Sequence, residues 1–142
     1  MNGNGFMSWV LRSAFHGMLS NGMMLITLKG RRTGRSYTTP VGYYEEGGYL
    51  WVLTSRERMW WRNLIGGAEV GLLLKHKQVQ GMAEAELDQK AVQAHLHDYV
   101  RFIPQAAKPM GIHVENGRPN GDDIARAARD RLFVRIKLLA GS

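Results

Sequence analysis

No cysteine occurs in the 142 residues. Its absence excludes a disulfide framework, a thiolate nucleophile and a cysteine-ligated metal, and it fits a reducing cytoplasm. No apolar run approaches the length that spans a bilayer. Near the N-terminus Arg12 and His16 interrupt the apolar stretch, and no small-residue cleavage site follows, so a signal peptide is not expected. The familiar local signatures of catalysis are missing as well: there is no Gly-x-Ser-x-Gly elbow, no Gly-x-x-x-x-Gly-Lys-Ser/Thr phosphate loop and no suitably placed dinucleotide fingerprint. The histidines stand at 16, 76, 95, 97 and 113. His95 and His97 are two apart on an expected helix and point apart, so no metal site is expected. If the chain is an enzyme, its reactive atoms arrive on a cofactor.

Acids are in short supply too. Nineteen lysines and arginines face 12 acids, a formal charge of +7. A field of that sign favours nucleic acid, an anionic membrane surface or an anionic small molecule. With 44% hydrophobic and 22% charged residues the composition is that of a folded protein. Residues 1–142 are read as one domain.

The charge is concentrated in Gly30-Arg31-Arg32-Thr33-Gly34-Arg35-Ser36, followed by Thr38-Thr39-Pro40. Guanidinium groups offer bidentate donors to phosphate or carboxylate. The glycines would let backbone N–H groups turn inward as a nest. The apolar runs Met23 to Leu28 and Val41 to Tyr44 on either side read as strands, Met23 to Lys29 and Ser36 to Tyr44, so the basic loop is expected to join two strands. Glu45-Glu46-Gly47-Gly48 is read as a turn into a third strand, Tyr49 to Thr54. Val70 to Lys75 and Val79 to Leu87 form a second hairpin through His76-Lys77, and Leu132 to Leu138 alternates as a final strand with one buried face.

Helices are expected at about 5–20, from Ser55 to Ile65, from Asp88 to Pro104 and over Gly121 to Arg129, with residues 105–120 as a loop. The first is amphipathic; it packs on the core or rests on a membrane surface. In the second, Ser55 is an N-cap, and Trp60, Asn63 and Leu64 share a face. An asparagine beside tryptophan on an inward face should have a specific hydrogen-bonding role. Six strands with no βαβ rhythm give an α+β, mainly β architecture: a six-stranded antiparallel barrel flanked by helices.

The basic loop, Thr-Thr-Pro, Thr54-Ser55-Arg56 and Trp60-Trp61-Arg62-Asn63-Leu64 together resemble the deazaflavin-dependent nitroreductase family, split β-barrel proteins related to FMN-binding split barrels that use coenzyme F-420. The resemblance spans roughly residues 6–88. It implies that Arg31, Arg32, Thr33, Gly34 and Arg35 hold the phosphate and acidic tail of the cofactor, with Thr39, Pro40 and Val41 beside them. It implies the same for Thr54, Ser55 and Arg56, and for Trp60, Trp61 and Asn63 near the ring. The activity implied is hydride transfer to an electrophilic acceptor such as a quinone, enone or nitro compound. Tyr43, Tyr44 and Tyr99 are candidate proton donors. Tyr37 stands where the family frequently has arginine, and the tyrosine cluster that the nitroreductases use for substrates has no clear counterpart. Weighed against this reading are a split barrel that binds FMN as a homodimer, or haem or a fatty acid, and a nucleic-acid module. The expectation adopted is a cytoplasmic oxidoreductase with a small-molecule partner and no nucleic acid; membrane association through residues 5–20 is the alternative.

Overall fold

Met24, Leu25, Ile26 and Leu28 belong to the first stretch that the sequence reads as a strand. In the computed structural model, which describes residues 22–139, all four are at most 3% exposed. Neighbouring strand residues point to opposite faces, so burial of three in succession means that this strand is covered on both sides. The helix expected at 5–20 lies outside the described residues.

In chain order the first elements are β1 (Met23–Lys29), β2 (Ser36–Gly42), β3 (Tyr44–Glu46) and β4 (Tyr49–Ser55). A short 3-10 helix (Trp60–Leu64), β5 (Ala68–Leu74) and β6 (Lys77–Glu86) follow. Then come α1 (Gln89–Phe102), the two-residue strands β7 (Val114–Glu115) and β8 (Arg118–Pro119), α2 (Gly121–Arg129) and β9 (Arg131–Leu138). Seven strands make one sheet in the order β2-β1-β5-β6-β9-β4-β3, the sheet of the split-barrel α+β fold that the sequence led us to expect.

The strand count is corrected from six to seven. The expected strand 36–44 divides at Tyr43 because its two halves have different neighbours. β2 pairs antiparallel with β1, setting Thr27 against Thr38, whereas β3 pairs with β4, setting Tyr44 against Trp51. Tyr43 bridges the change by donating its N–H to the Gly22 carbonyl at 2.9 Å. The helix expected over Ser55 to Ile65 is also corrected: β4 runs to Ser55, a turn follows, and only Trp60–Leu64 coils, as a 3-10 helix. Residues 105–120, expected as a loop, hold two single 3-10 turns and the β7–β8 pair.

The contacts gather into two compact units. Among the described residues, the first comprises 22–52, Trp60–Ala85 and 134–139. It holds β1, β2, β3, β5 and the 3-10 helix, with a core that includes Trp60, Trp61, Leu64, Val70 and Leu72. Here β6 approaches β9 at its tightest: a Cβ on Gly81 would lie 2.7 Å from Ile136 Cγ2 and 3.3 Å from the Lys137 carbonyl. Beside it Arg135 pairs with Glu84 at 2.7 Å.

The second unit comprises Leu53–Met59 and Glu86–Phe133. α1 starts where Asp88 accepts the Ala91 N–H at 3.0 Å, a side-chain cap of the expected kind. Its Val92, Leu96 and Val100 are buried. α2 is capped by Asn120, which accepts the Asp123 N–H at 2.9 Å, and buries Ile124, Ala127 and Ala128. Gln89 ties the two helices by donating to the Ala128 carbonyl at 3.1 Å. Phe133 is fully buried and meets His95 and Tyr99 edge-on, with ring centroids 5.8 and 6.1 Å apart. Asp123 accepts the His113 N–H and pairs with Arg126, both at 2.8 Å; the backbone donor first, and then Arg126, hold its carboxyl below the usual range.

Gly81→Ala should destabilise the protein by about 1–3 kcal/mol, because the new methyl overlaps Ile136 and neither strand can retreat without breaking its ladder. Denaturant unfolding checks this; a midpoint equal to that of the wild type would mean that β6 and β9 are not so tightly apposed.

Candidate functional site

The loop between β1 and β2 is closed by its own backbone. Gly30 donates to the Arg35 carbonyl at 2.9 Å, and Gly34 donates back to the Gly30 carbonyl at 2.8 Å. Gly34 has φ +72°, in the left-handed region where a side chain is strained. The Arg35 N–H reaches Thr33 Oγ1 at 3.2 Å. Arg31 then fastens the loop to the turn after the 3-10 helix in two ways: its N–H donates to Asn63 Oδ1 at 2.9 Å, and its guanidinium Nη2 donates to the Ile65 carbonyl at 2.5 Å. Asn63 completes the link by donating Nδ2–H to the Trp60 carbonyl at 3.1 Å.

This wiring revises how the loop can hold an anion. The N–H groups of residues 30, 34 and 35 have acceptors within the loop and that of Arg31 has Asn63, so the expected backbone nest is largely consumed. Arg31 is a fastening. What the loop presents outward is the pair Arg32 and Arg35, both exposed and, among the described residues, without an ion pair or side-chain hydrogen bond. The loop is therefore a rigid frame bearing two unpaired guanidinium groups, suited to an anion with more than one charged oxygen.

Asn63 has the specific role that its place beside Trp60 foretold, but its partner is the loop. Trp60 and Trp61 are only 5% and 6% exposed, so their rings are occupied in the first unit's core. The Arg62 guanidinium sits 5.3 Å from the centre of the Trp61 ring, and the buried Trp61 Nε1 has no hydrogen-bond partner among the described residues. Val41 is buried behind the loop, while Thr39 and Pro40 are half-buried on β2. Tyr37 is 41% exposed in the strand that leaves the loop.

Thr54, Ser55 and Arg56 fall in the second unit. Ser55 does not open an α-helix, so no helix N-terminus stands there to attract an anion. Its hydroxyl accepts the Glu57 N–H at 3.4 Å, and its carbonyl accepts the Arg58 N–H at 3.2 Å. Arg56 donates its backbone N–H to the Asp130 carbonyl at 2.8 Å and its Nη2 to the Leu87 carbonyl at 3.2 Å. Sequence reasoning passed over Arg129 and Arg131, which line a cleft with Ser55 and Arg56. Their signal was an Arg-Asp-Arg run, hidden because a helix end also favours cations.

Burial holds the Tyr99 phenol above its ordinary value. Burial, and then the charge of Glu45, do the same for Tyr43. Both are protonated donors at neutral pH. Among the described residues no group of three or more His, Asp or Glu side chains gathers as a metal site, and no helix is long and apolar enough to cross a membrane.

Asn63→Ala removes the acceptor for Arg31 N–H and should destabilise the first unit by about 1–3 kcal/mol. Hydrogen exchange at the Arg31 amide should quicken with it, and unchanged protection would remove the fastening role. For Tyr99 the raised pKa means that the folded state favours the protonated phenol. The stability this contributes is whole below the ordinary value of 10.0 and is lost as pH rises through the raised one. The fall in stability over that alkaline window should be smaller in Tyr99→Phe than in the wild type, as urea unfolding at successive pH values would show.

Residues 12–109 match the family model described as F420H(2)-dependent quinone reductase. No curated protein matches the chain by sequence. Among solved structures, the general stress FMN/FAD binding protein of Xanthomonas citri is similar at TM-score 0.52 and 17% identity, over 84% of this chain and 76% of that one. The FAD and haem binding protein of Mycobacterium smegmatis is similar at TM-score 0.51 and 16% identity, over 92% of this chain and 72% of that one. The haem storage protein HutZ of Vibrio cholerae is similar at TM-score 0.51 and 13% identity, over 92% of each chain. At such identities these three establish the fold.

Proposed function

The chain belongs to the F420H(2)-dependent quinone reductase family, and we propose on that premise that it uses reduced coenzyme F-420 to deliver a hydride to a small electrophilic acceptor, a quinone or an enone. The observation that carries the reading is the frame of the basic loop: Arg31 and Asn63 hold it, and Arg32 and Arg35 extend from it unpaired. A cofactor with a phosphate and a carboxylate-bearing tail fits such a frame, because bidentate guanidinium contacts suit both groups. The residues assigned to that tail are Arg32 and Arg35, positioned by Arg31, Thr33, Gly34 and Asn63, with Thr39 and Pro40 at the edge of the site.

In this reading the chain's own task is binding and orientation. The loop does not have to fold around its ligand, since its internal hydrogen bonds already set its shape. Holding the tail at two fixed charges fixes the position of whatever is joined to it. Trp60 and Trp61 support the loop from within the core.

The fold is shared with proteins described as binding FMN or FAD, so FMN is the comparison ligand in the test. Fluorescence titration of the protein with F-420, with FMN in parallel, should show saturable binding of the deazaflavin. Arg32→Ala with Arg35→Ala should weaken it by about tenfold or more, and binding to the wild type should fall steeply with salt. Anaerobic assay of the reduced coenzyme with a soluble quinone then tests turnover. Unaltered affinity in the double variant would overturn the loop assignment, and binding of FMN alone would replace the cofactor.

A further inference from the structure

Ser55 and Arg131 stand where two hollows of the second unit meet. One is a cleft of about 530 Å³ lined by Ser55, Arg56, Glu57, Arg129, Asp130 and Arg131. The other, of about 290 Å³, shares Ser55 and Arg131 and is walled by Leu53, Tyr99, Pro109 and Met110 among others. A polar mouth thus shares two residues with an apolar slot.

The mouth is not electrically satisfied from within. Arg56, Arg129 and Arg131 line it together with two carboxylates, Glu57 and Asp130, yet among the described residues no ion pair joins any of them. Among the described residues the Glu57 carboxylate is engaged only by the Ser55 hydroxyl, at 3.4 Å. Arg131 makes one long bond, Nη1 to the Ala127 carbonyl at 3.4 Å, which steadies the guanidinium and leaves its Nη2 and Nε uncommitted. The Arg56 Nε is buried without a hydrogen-bond partner among the described residues, and a buried donor is ordinarily answered. Arg129 is exposed at the end of α2. Charge neutralisation at the end of a helix explains Arg131 in part. It does not explain why three guanidinium groups share one cleft with carboxylates that none of them pairs with.

The slot supplies the second half of the chemistry. A volume near 290 Å³ is at the lower end of small-ligand sites, roughly 300 Å³, enough for a body of one or two rings. The Tyr99 ring and the Met110 thioether are suited to packing against a flat apolar group.

We propose that this hollow binds a compact organic acid, its carboxylate on the Arg131 guanidinium and its flat apolar body in the slot beside Tyr99 and Met110. Arg129 at the rim draws the anion in, and Arg56 adds positive charge behind it. The assignment uses no residue of the basic loop, although the family resemblance sets Ser55 and Arg56 beside the cofactor.

Calorimetric titration of the full chain with 1-naphthoate, 1-naphthol and inorganic phosphate tests it. Saturable binding of naphthoate is expected, with naphthol and phosphate each about tenfold weaker. Arg131→Gln should weaken naphthoate by about tenfold and leave naphthol unchanged. Arg129→Gln, at an exposed position that leaves the fold intact, should weaken naphthoate by about two- to threefold. Failure of naphthoate to bind overturns the proposal, as does equal affinity for naphthol. Phosphate binding as tightly as naphthoate would remove the apolar half. Wild-type affinity in both arginine variants would remove the polar half. Loss of naphthoate binding in saturating F-420 would make the hollow part of the coenzyme's own site and overturn it as a separate one.

Discussion

The hydrogen bond from the Arg31 amide to Asn63 Oδ1 turns a basic segment into a shaped one. Arginines in a loop between strands would ordinarily wander, since each carries a long flexible stem and repels its neighbours. Here one of three is given up as an anchor, its side chain on the Ile65 carbonyl and its backbone on Asn63. Asn63 can serve because it is itself held, through the Trp60 carbonyl, at the edge of a buried tryptophan pair. Aromatic burial, side-chain amide and loop backbone thus form one chain of support, and the exposed Arg32 and Arg35 inherit their positions from it. A buried core stabilises without direction; the amide converts that stability into direction.

The second unit relies on different physics. Its helices are set by side-chain caps at Asp88 and Asn120 and by the small residues Ala127 and Ala128, which allow α2 to pack closely. There Arg56 and Arg131 are steadied by backbone carbonyls rather than by an amide side chain. The same residue type therefore plays three parts in one small protein: anchor at Arg31, presented charge at Arg32 and Arg35, and lining of a hollow at Arg56, Arg129 and Arg131.

Much of the fold was legible because strand alternation and capping residues are local signals. β1, α1 and α2 lie where apolar spacing and Asp88 or Gly121 put them. What failed was non-local. Nothing within residues 36–44 reveals that pairing passes from β1 to β4 at Tyr43, since that depends on which strand each half meets. Ser55 looks like an N-cap because capping residues also suit strand ends, and five residues of 3-10 coil carry too little pattern to be told from an α-helix. In the basic loop the glycines suggested a backbone nest, but that three amides close the loop on itself and the Arg31 amide goes to Asn63 could be found only in three dimensions. The expectation of one buried face on β9 failed for a similar reason: Leu132, Phe133 and Val134 are buried in succession, which alternation alone does not foretell.

The closure of the basic loop also bears on rates. Because Gly30, Gly34 and Thr33 bind partners inside the loop, no backbone rearrangement stands between encounter and capture of an anion. Association at such a surface is governed by diffusion and by the long-range pull of a +7 chain. Ionic strength should then act mainly on the speed of arrival, while residence time is set by the two presented guanidinium groups.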